Sequence, residues 1–246
     1  MKLRFRAAVR THPGLVRSVN EDSVLARDDI ALWVVADGMG GHANGQWASQ
    51  TLVAQFAGLA LQGAPEARGA ALVAALQAGN GAIYAAGKAA GQSMGTTAVL
   101  LHFDGPTLMC LWVGDSRAYR FRRGGLTQLS RDHSVVQELV DRGSLSLDDA
   151  ESHPMAHVLS RAIGGEPECR PEGITDTALP GDHYLLCSDG LTKVVAEEVI
   201  GRLLRLPSVN AAADRMVAET LEQGAPDNVT VVLVSVEEVT EVSTGQ

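Results

Sequence analysis

The sequence predicts an α+β fold with antiparallel sheets, and three observations carry that prediction. Apolar strands follow one another in hairpin-like succession, helical stretches come in pairs, and strands and helices do not alternate as in a βαβ chain. Leu3, Phe5, Ala7 and Val9 alternate with basic or small residues, the period of a half-buried strand. Residues 30–36 (IALWVVA) are a continuous apolar run ending in Asp-Gly, a buried strand with its acid at the tip. Leu52, Phe56, Leu59 and Ala60 recur at helical spacing between Gly45 and Gly63, and a second, Ala-rich helix is expected over 67–91. Strands are expected at 96–103, 107–113, 118–122 and 126–129. Residues 133–164 read as short helices and loops, with VVQELV the clearest helical piece. A strand at 184–187 ends in Ser-Asp-Gly, helices follow at 196–206 and 209–223, and a β-branched strand at 229–236 closes the pattern. No repeat, low-complexity linker or composition break divides the chain. One domain is expected over 1–238, with a short flexible tail at 239–246.

Composition narrows the function classes. Of the 246 residues, 46% are hydrophobic and 20% charged, a globular balance. The net charge is −9 and no Lys/Arg run occurs, which argues against nucleic acid or an anionic membrane as partner. Three cysteines at wide spacing suggest neither a disulfide framework nor a zinc site; Cys110 and Cys187 read as buried thiols in apolar strands. The first residues lack the apolar stretch of a signal peptide, and no apolar run is long enough for a membrane span. A cytoplasmic, monomeric protein is the expectation.

The acids are the most informative pattern. Asp37 ends IALWVVADG, Asp115 ends LMCLWVGD, Asp189 ends YLLCSDG, and Asp227 precedes NVTVVLV. Any one Asp-Gly is ordinary turn chemistry. Four acids at the ends of apolar strands are harder to assign to turns alone. Carboxylates converging at one sheet edge repel unless cations lie between them, and hard divalent ions prefer such oxygen ligands. Two ions sharing a carboxylate, roughly 3.5–4 Å apart, suit hydrolysis of a phosphate ester.

Eight blocks occur in order: RSVNEDS (17–23), VVADGMGGH (34–42), SMGTTAV (93–99), VGDSRAYR (113–120), LTQLSRDHS (126–134), LSRAIGG (159–165), LLCSDGLT (185–192) and APDNVTVVLV (225–234). Together they resemble the metal-dependent PP2C-type protein phosphatases, in particular the small stand-alone bacterial ones. The resemblance implies a four-layer αββα sandwich, two antiparallel sheets flanked by helix pairs, with metals at one end. It implies hydrolysis of phosphoserine and phosphothreonine by direct attack of a metal-bridging water, opposing a Ser/Thr kinase. Two core ions, Mn²⁺ or Mg²⁺, would be shared by Asp37, with the Gly38 carbonyl as a further ligand. Asp189 and Asp227 would complete the first ion, and Asp22 would reach the second directly or through its waters. Arg17 would grip the substrate phosphate, and Asn228 would orient Asp227 or a metal-bound water. Asp115 would help hold a third, weaker ion, beside a flap at 134–157 that includes His157. One departure matters: Met39 stands where animal members carry a histidine after the Asp-Gly, which leaves His42 or a metal-bound water as the proton donor.

Other readings compete. His133 reads as capping or orienting a helix start. His153 and His157 lie four apart without the glutamate of an HExxH zinc motif. Ser116 in GDS could be an esterase nucleophile, but no histidine follows His183 to serve as its base. A catalytically silent phosphoprotein-binding regulator on the same fold is the remaining alternative; the retained carboxylates favour activity.

Overall fold

The computed structural model describes residues 2–41, 43–150 and 153–239; the expected tail lies outside them from residue 240 on, and so does His42. In chain order come β1 (Leu3–His12), β2 (Asp22–Arg27), β3 (Leu32–Met39), α1 (Ala43–Ala57), α2 (Pro65–Ala90), β4 (Gly95–Thr96), β5 (Ala98–Asp104), β6 (Thr107–Val113), β7 (Arg117–Arg122) and β8 (Gly125–Gln128). Then follow α3 (Val135–Asp141), α4 (Leu147–Ala150), β9 (Glu172–Thr177), β10 (His183–Cys187), α5 (Asp189–Thr192), α6 (Glu197–Leu203), α7 (Val209–Glu222) and β11 (Val229–Glu238). One sheet has the order β1-β11-β10-β7-β8; the other runs β2-β3-β5-β6-β9, with β4 also paired to β3. The pairings are antiparallel.

The alternation of side chains along each strand turns these sheets into four layers. In β3, Leu32, Val34 and Ala36 pack with Leu52 and Phe56 of α1 and Leu72, Leu76 and Ile83 of α2. The intervening Trp33 and Val35 face the other sheet, packing with Tyr184, Leu186, Val232 and Val234. In β11 the odd residues Val229, Val231 and Leu233 join Ala212, Ala213 and Met216 of α7. A continuous apolar run is what a strand covered on both faces requires, which is why 30–36 and 229–236 carry no polar alternation. Cys110 and Cys187 are buried as expected, and Cys169 is buried too. No described helix is long and apolar enough to cross a membrane.

Two strands, β2 and β9, escape sequence reading. β9 is EGITDT, a half-exposed edge strand with one large apolar residue, so neither hydrophobic template detects it. Ile30 belongs to a short 3-10 turn, not to β3, because Ala31 takes a left-handed φ of 47° between them. The second helix begins two residues before the expected start, with Pro65 at its first turn, where a missing N–H costs nothing.

His102, on β5, is 5% exposed, and neither ring nitrogen makes a well-formed hydrogen bond among the described residues, the backbone at Ala31 and Ile30 lying near but poorly aligned. Burial holds its pKa below the ordinary 6.5, with Arg68 pushing the same way and Asp104 and the backbone at Ala31 and Ile30 pulling back. The unfolded chain therefore takes up this proton at higher pH than the folded one. The contribution is intact above about pH 6.5 and declines below it. As pH is lowered from about 7.5 to 5.5, wild type should lose stability relative to His102→Leu, whose slope keeps only the contribution of the other titrating groups. An unchanged slope in the variant would remove His102 as the cause.

Candidate active site

The β2–β3 register sets Asp22 directly opposite Asp37 at the end of one sheet. Ser188, at the end of β10, donates its hydroxyl to Asp22 Oδ2 at 2.7 Å and accepts from the Thr230 N–H of β11 at 3.0 Å. This bridge joins the matching ends of the two sheets. Asp189 opens α5 immediately after β10, Asp227 precedes β11, and Asp115 lies between β6 and β7. The strands thus deliver the predicted acids to one edge of the sandwich.

Asp37 is held by its backbone. Thr97 Oγ1 accepts from its N–H at 2.9 Å, while the Thr97 N–H and the Thr96 hydroxyl donate to its carbonyl at 2.8 and 2.9 Å. Ser116 Oγ meets Thr97 Oγ1 at 2.7 Å and is 1% exposed. That hydroxyl is a buried strut between the Asp37 strand and the Asp115 loop, which disposes of the esterase reading.

Two glycines have a role that turn chemistry does not capture. Gly38 lies inside β3, and a Cβ there would stand 2.1 Å from the Gly45 carbonyl oxygen. Gly190 lies in the first turn of α5, and its Cβ would stand 1.8 Å from the Asn228 carbonyl oxygen. Neither glycine has a positive φ. Each follows its aspartate because backbones pass there too closely for a side chain.

The electrostatics are those of crowded like charge. Burial, then the charges of Asp22, Asp189, Asp115 and Asp227, push Asp37 well above the carboxylate range. Asp22 is pushed up to about 7 by burial, with Asp189 and Asp227 adding and the Thr230 and Ser188 hydroxyls opposing. Asp115 is likewise pushed up to about 7 by burial, then by Asp189 and Asp132, with Lys193 opposing. Asp22 Oδ1 and Asp189 Oδ1 are buried oxygens with no hydrogen-bond partner among the described residues. Such oxygens cost free energy unless something positive meets them.

Two protein cations are already present. Lys193 pairs with Asp189 Oδ2, and Arg17 Nη2 donates to Asp227 Oδ2 at 3.0 Å. Among the described residues, no three His, Cys, Asp or Glu side chains stand as a ready-made ion cage.

Three expectations need correction or addition. Asn228 does meet Asp227, but through its backbone, the N–H donating to Asp227 Oδ1 at 2.9 Å; its side chain works elsewhere, Oδ1 accepting from Glu21 N at 2.8 Å and Nδ2 donating to Pro13 O and Val19 O at 2.9 and 3.0 Å. It clamps the loop that carries Arg17. His133 is not the cap of α3; Ser134 is, accepting from Gln137 N at 3.2 Å. His133 Nδ1 instead accepts from Gly114 N at 3.2 Å, holding the residue before Asp115. Lys193 was missed, although its spacing of four from Asp189 on a helical turn was visible in the chain.

A family profile described as Protein phosphatase 2C matches residues 16–234. The chain belongs to the protein phosphatase 2C family. Within that family it is 43% identical over 236 residues to the serine/threonine protein phosphatase PstP of Mycobacterium tuberculosis, a match covering 95% of this chain and 45% of PstP. The chain thus spans about half the length of that relative. It also resembles the structure of the PstP catalytic domain in complex with two manganese ions, at a TM-score of 0.86 and 42% identity, covering 96% of this chain and all of that one. The structure of PppA, a key regulatory component of T6SS in Pseudomonas aeruginosa, is similar at a TM-score of 0.89 and 39% identity, covering 95% and 98%. The four layers of this family member are therefore those of solved bacterial phosphatases.

Proposed function

We propose that this chain is a metal-dependent protein serine/threonine phosphatase that hydrolyses phosphoserine and phosphothreonine in proteins and opposes a Ser/Thr kinase. The observation that carries the reading is the buried carboxylate edge with two orphaned oxygens, on Asp22 and Asp189. An all-oxygen set of that charge suits Mn²⁺ or Mg²⁺ and no softer ion.

Asp37 would be shared by two ions together with the Gly38 carbonyl, Asp189 and Asp227 would serve the first, and Asp22 the second. Bound there, the ions would acidify a water to serve as nucleophile and neutralise charge on the phosphoryl oxygens. The chain's own residues do the rest. Thr96 and Thr97 fix the Asp37 backbone, and Asn228 fixes the loop from which Arg17 reaches the site. Arg17, with its side chain 53% exposed, offers a planar donor fork to an incoming phosphate. Asp115, beside Asp189, is the carboxylate expected at a third, weaker ion. The likeness to PppA makes secretion-linked phosphoproteins a substrate class to test first.

The test is hydrolysis of a phosphopeptide that requires Mn²⁺, stops with EDTA and returns on adding Mn²⁺. Turnover indifferent to EDTA would sink the reading. Arg17→Ala should raise KM and lower kcat/KM about ten- to a hundred-fold, the worth of a charge-assisted hydrogen bond of roughly 1.5–3 kcal/mol. An unchanged kcat/KM for phosphopeptide would take Arg17 out of the site.

A further inference from the structure

Lys193 stands among acids that the proposed chemistry fills with metal. It follows α5 by one residue, so one helical turn brings its ammonium onto Asp189 Oδ2. Its side chain is 31% exposed, partly removed from water and held by charge. Asp115, Asp189 and Lys193 line one cavity of about 500 Å³, which also reaches His157. Asp189 divides its two oxygens: Oδ2 takes the ammonium, and Oδ1 stays buried and unpartnered. One carboxylate can therefore serve the lysine and a core ion at once.

We propose that the Lys193 ammonium is a built-in cation between Asp189 and Asp115, occupying the place expected for a third, weaker ion, so that the chain binds two ions and no third. This rests on the two-ion reading above. A third divalent ion at Asp115 would have to approach within a few ångströms of a fixed positive charge, and that repulsion weakens it further.

The test counts Mn²⁺ alone by equilibrium dialysis and electron paramagnetic resonance, on the whole chain. Wild type should hold two ions up to high Mn²⁺, and Lys193→Arg should also hold two. Lys193→Asp and Lys193→Ala should acquire a third, weakly held ion, and adding Asp115→Asn to Lys193→Asp should abolish it. Three ions in wild type, or two in a folded Lys193→Asp, overturns the proposal while the two-ion reading stands. If neither Lys193 variant folds, the wild-type count decides alone. No bound ions in wild type overturns both readings.

Discussion

Asp37→Asn should abolish phosphopeptide turnover and leave the domain folded. The contacts that hold position 37 in the structure run through its backbone, to Thr96 and Thr97, and an amide of the same shape disturbs none of them. The substitution also removes one charge from a cluster whose members raise one another's pKa. The ion-free domain should therefore melt no lower than wild type. What is lost is the carboxylate proposed to be shared by both ions, together with several kcal/mol of stabilisation of the phosphoryl charge. At 1.36 kcal/mol per tenfold, turnover should fall by about a thousand-fold or more. Thermal melts, Mn²⁺ calorimetry and phosphopeptide assays in excess Mn²⁺ check this together. Near-normal turnover in the variant would end the two-metal proposal.

The second large effect is expected from a single methyl group. Gly190→Ala places a Cβ 1.8 Å from the Asn228 carbonyl oxygen, and backbone rather than a flexible side chain has to give. Overpacking of this kind costs about 1–3 kcal/mol, which is roughly 2–12 °C in Tm for a domain of this size. Activity should fall more than stability does, because Asn228 holds Pro13, Val19 and Glu21, and with them the approach of Arg17. Gly81→Ala is the control: it lies inside α2 with open space around its Cβ, and should stabilise by about 0.5–1 kcal/mol. A Gly190→Ala protein with wild-type Tm and kcat/KM would show that the close passage has no consequence.

The layers and the acidic edge were legible because both leave one-dimensional traces. A strand covered on two faces is mostly apolar, as LWVVA and VTVVLV are with Thr230 the one polar residue, and an acid beside such a run stands out. What was not legible depends on partners far apart in sequence. The pairing of Asn228 with Pro13 spans 215 positions, so its clamp on the Arg17 loop appears only in three dimensions. The same holds for the glycines: DG is turn chemistry by itself, and only the neighbouring backbones of Gly45 and Asn228 reveal the reason for the missing side chain. β9 was invisible because an exposed edge strand needs no hydrophobic pattern. Lys193 was visible as a residue but belonged to no motif, so its charge was not set against those of Asp115 and Asp189.

β11 lies between β1 and β10 in its sheet, and it is the last strand of the fold to leave the ribosome. Asp227 and Asn228 stand at its entrance, so the site draws on both extremes of the domain. A nascent chain that has made everything up to α7 has one sheet with an unfilled slot, and the loop of Arg17 without the Asn228 clamp. Long-range pairings of this kind form slowly and late. A chain without β11 would lack at once a central strand of one sheet and the entrance that carries Asp227 and Asn228.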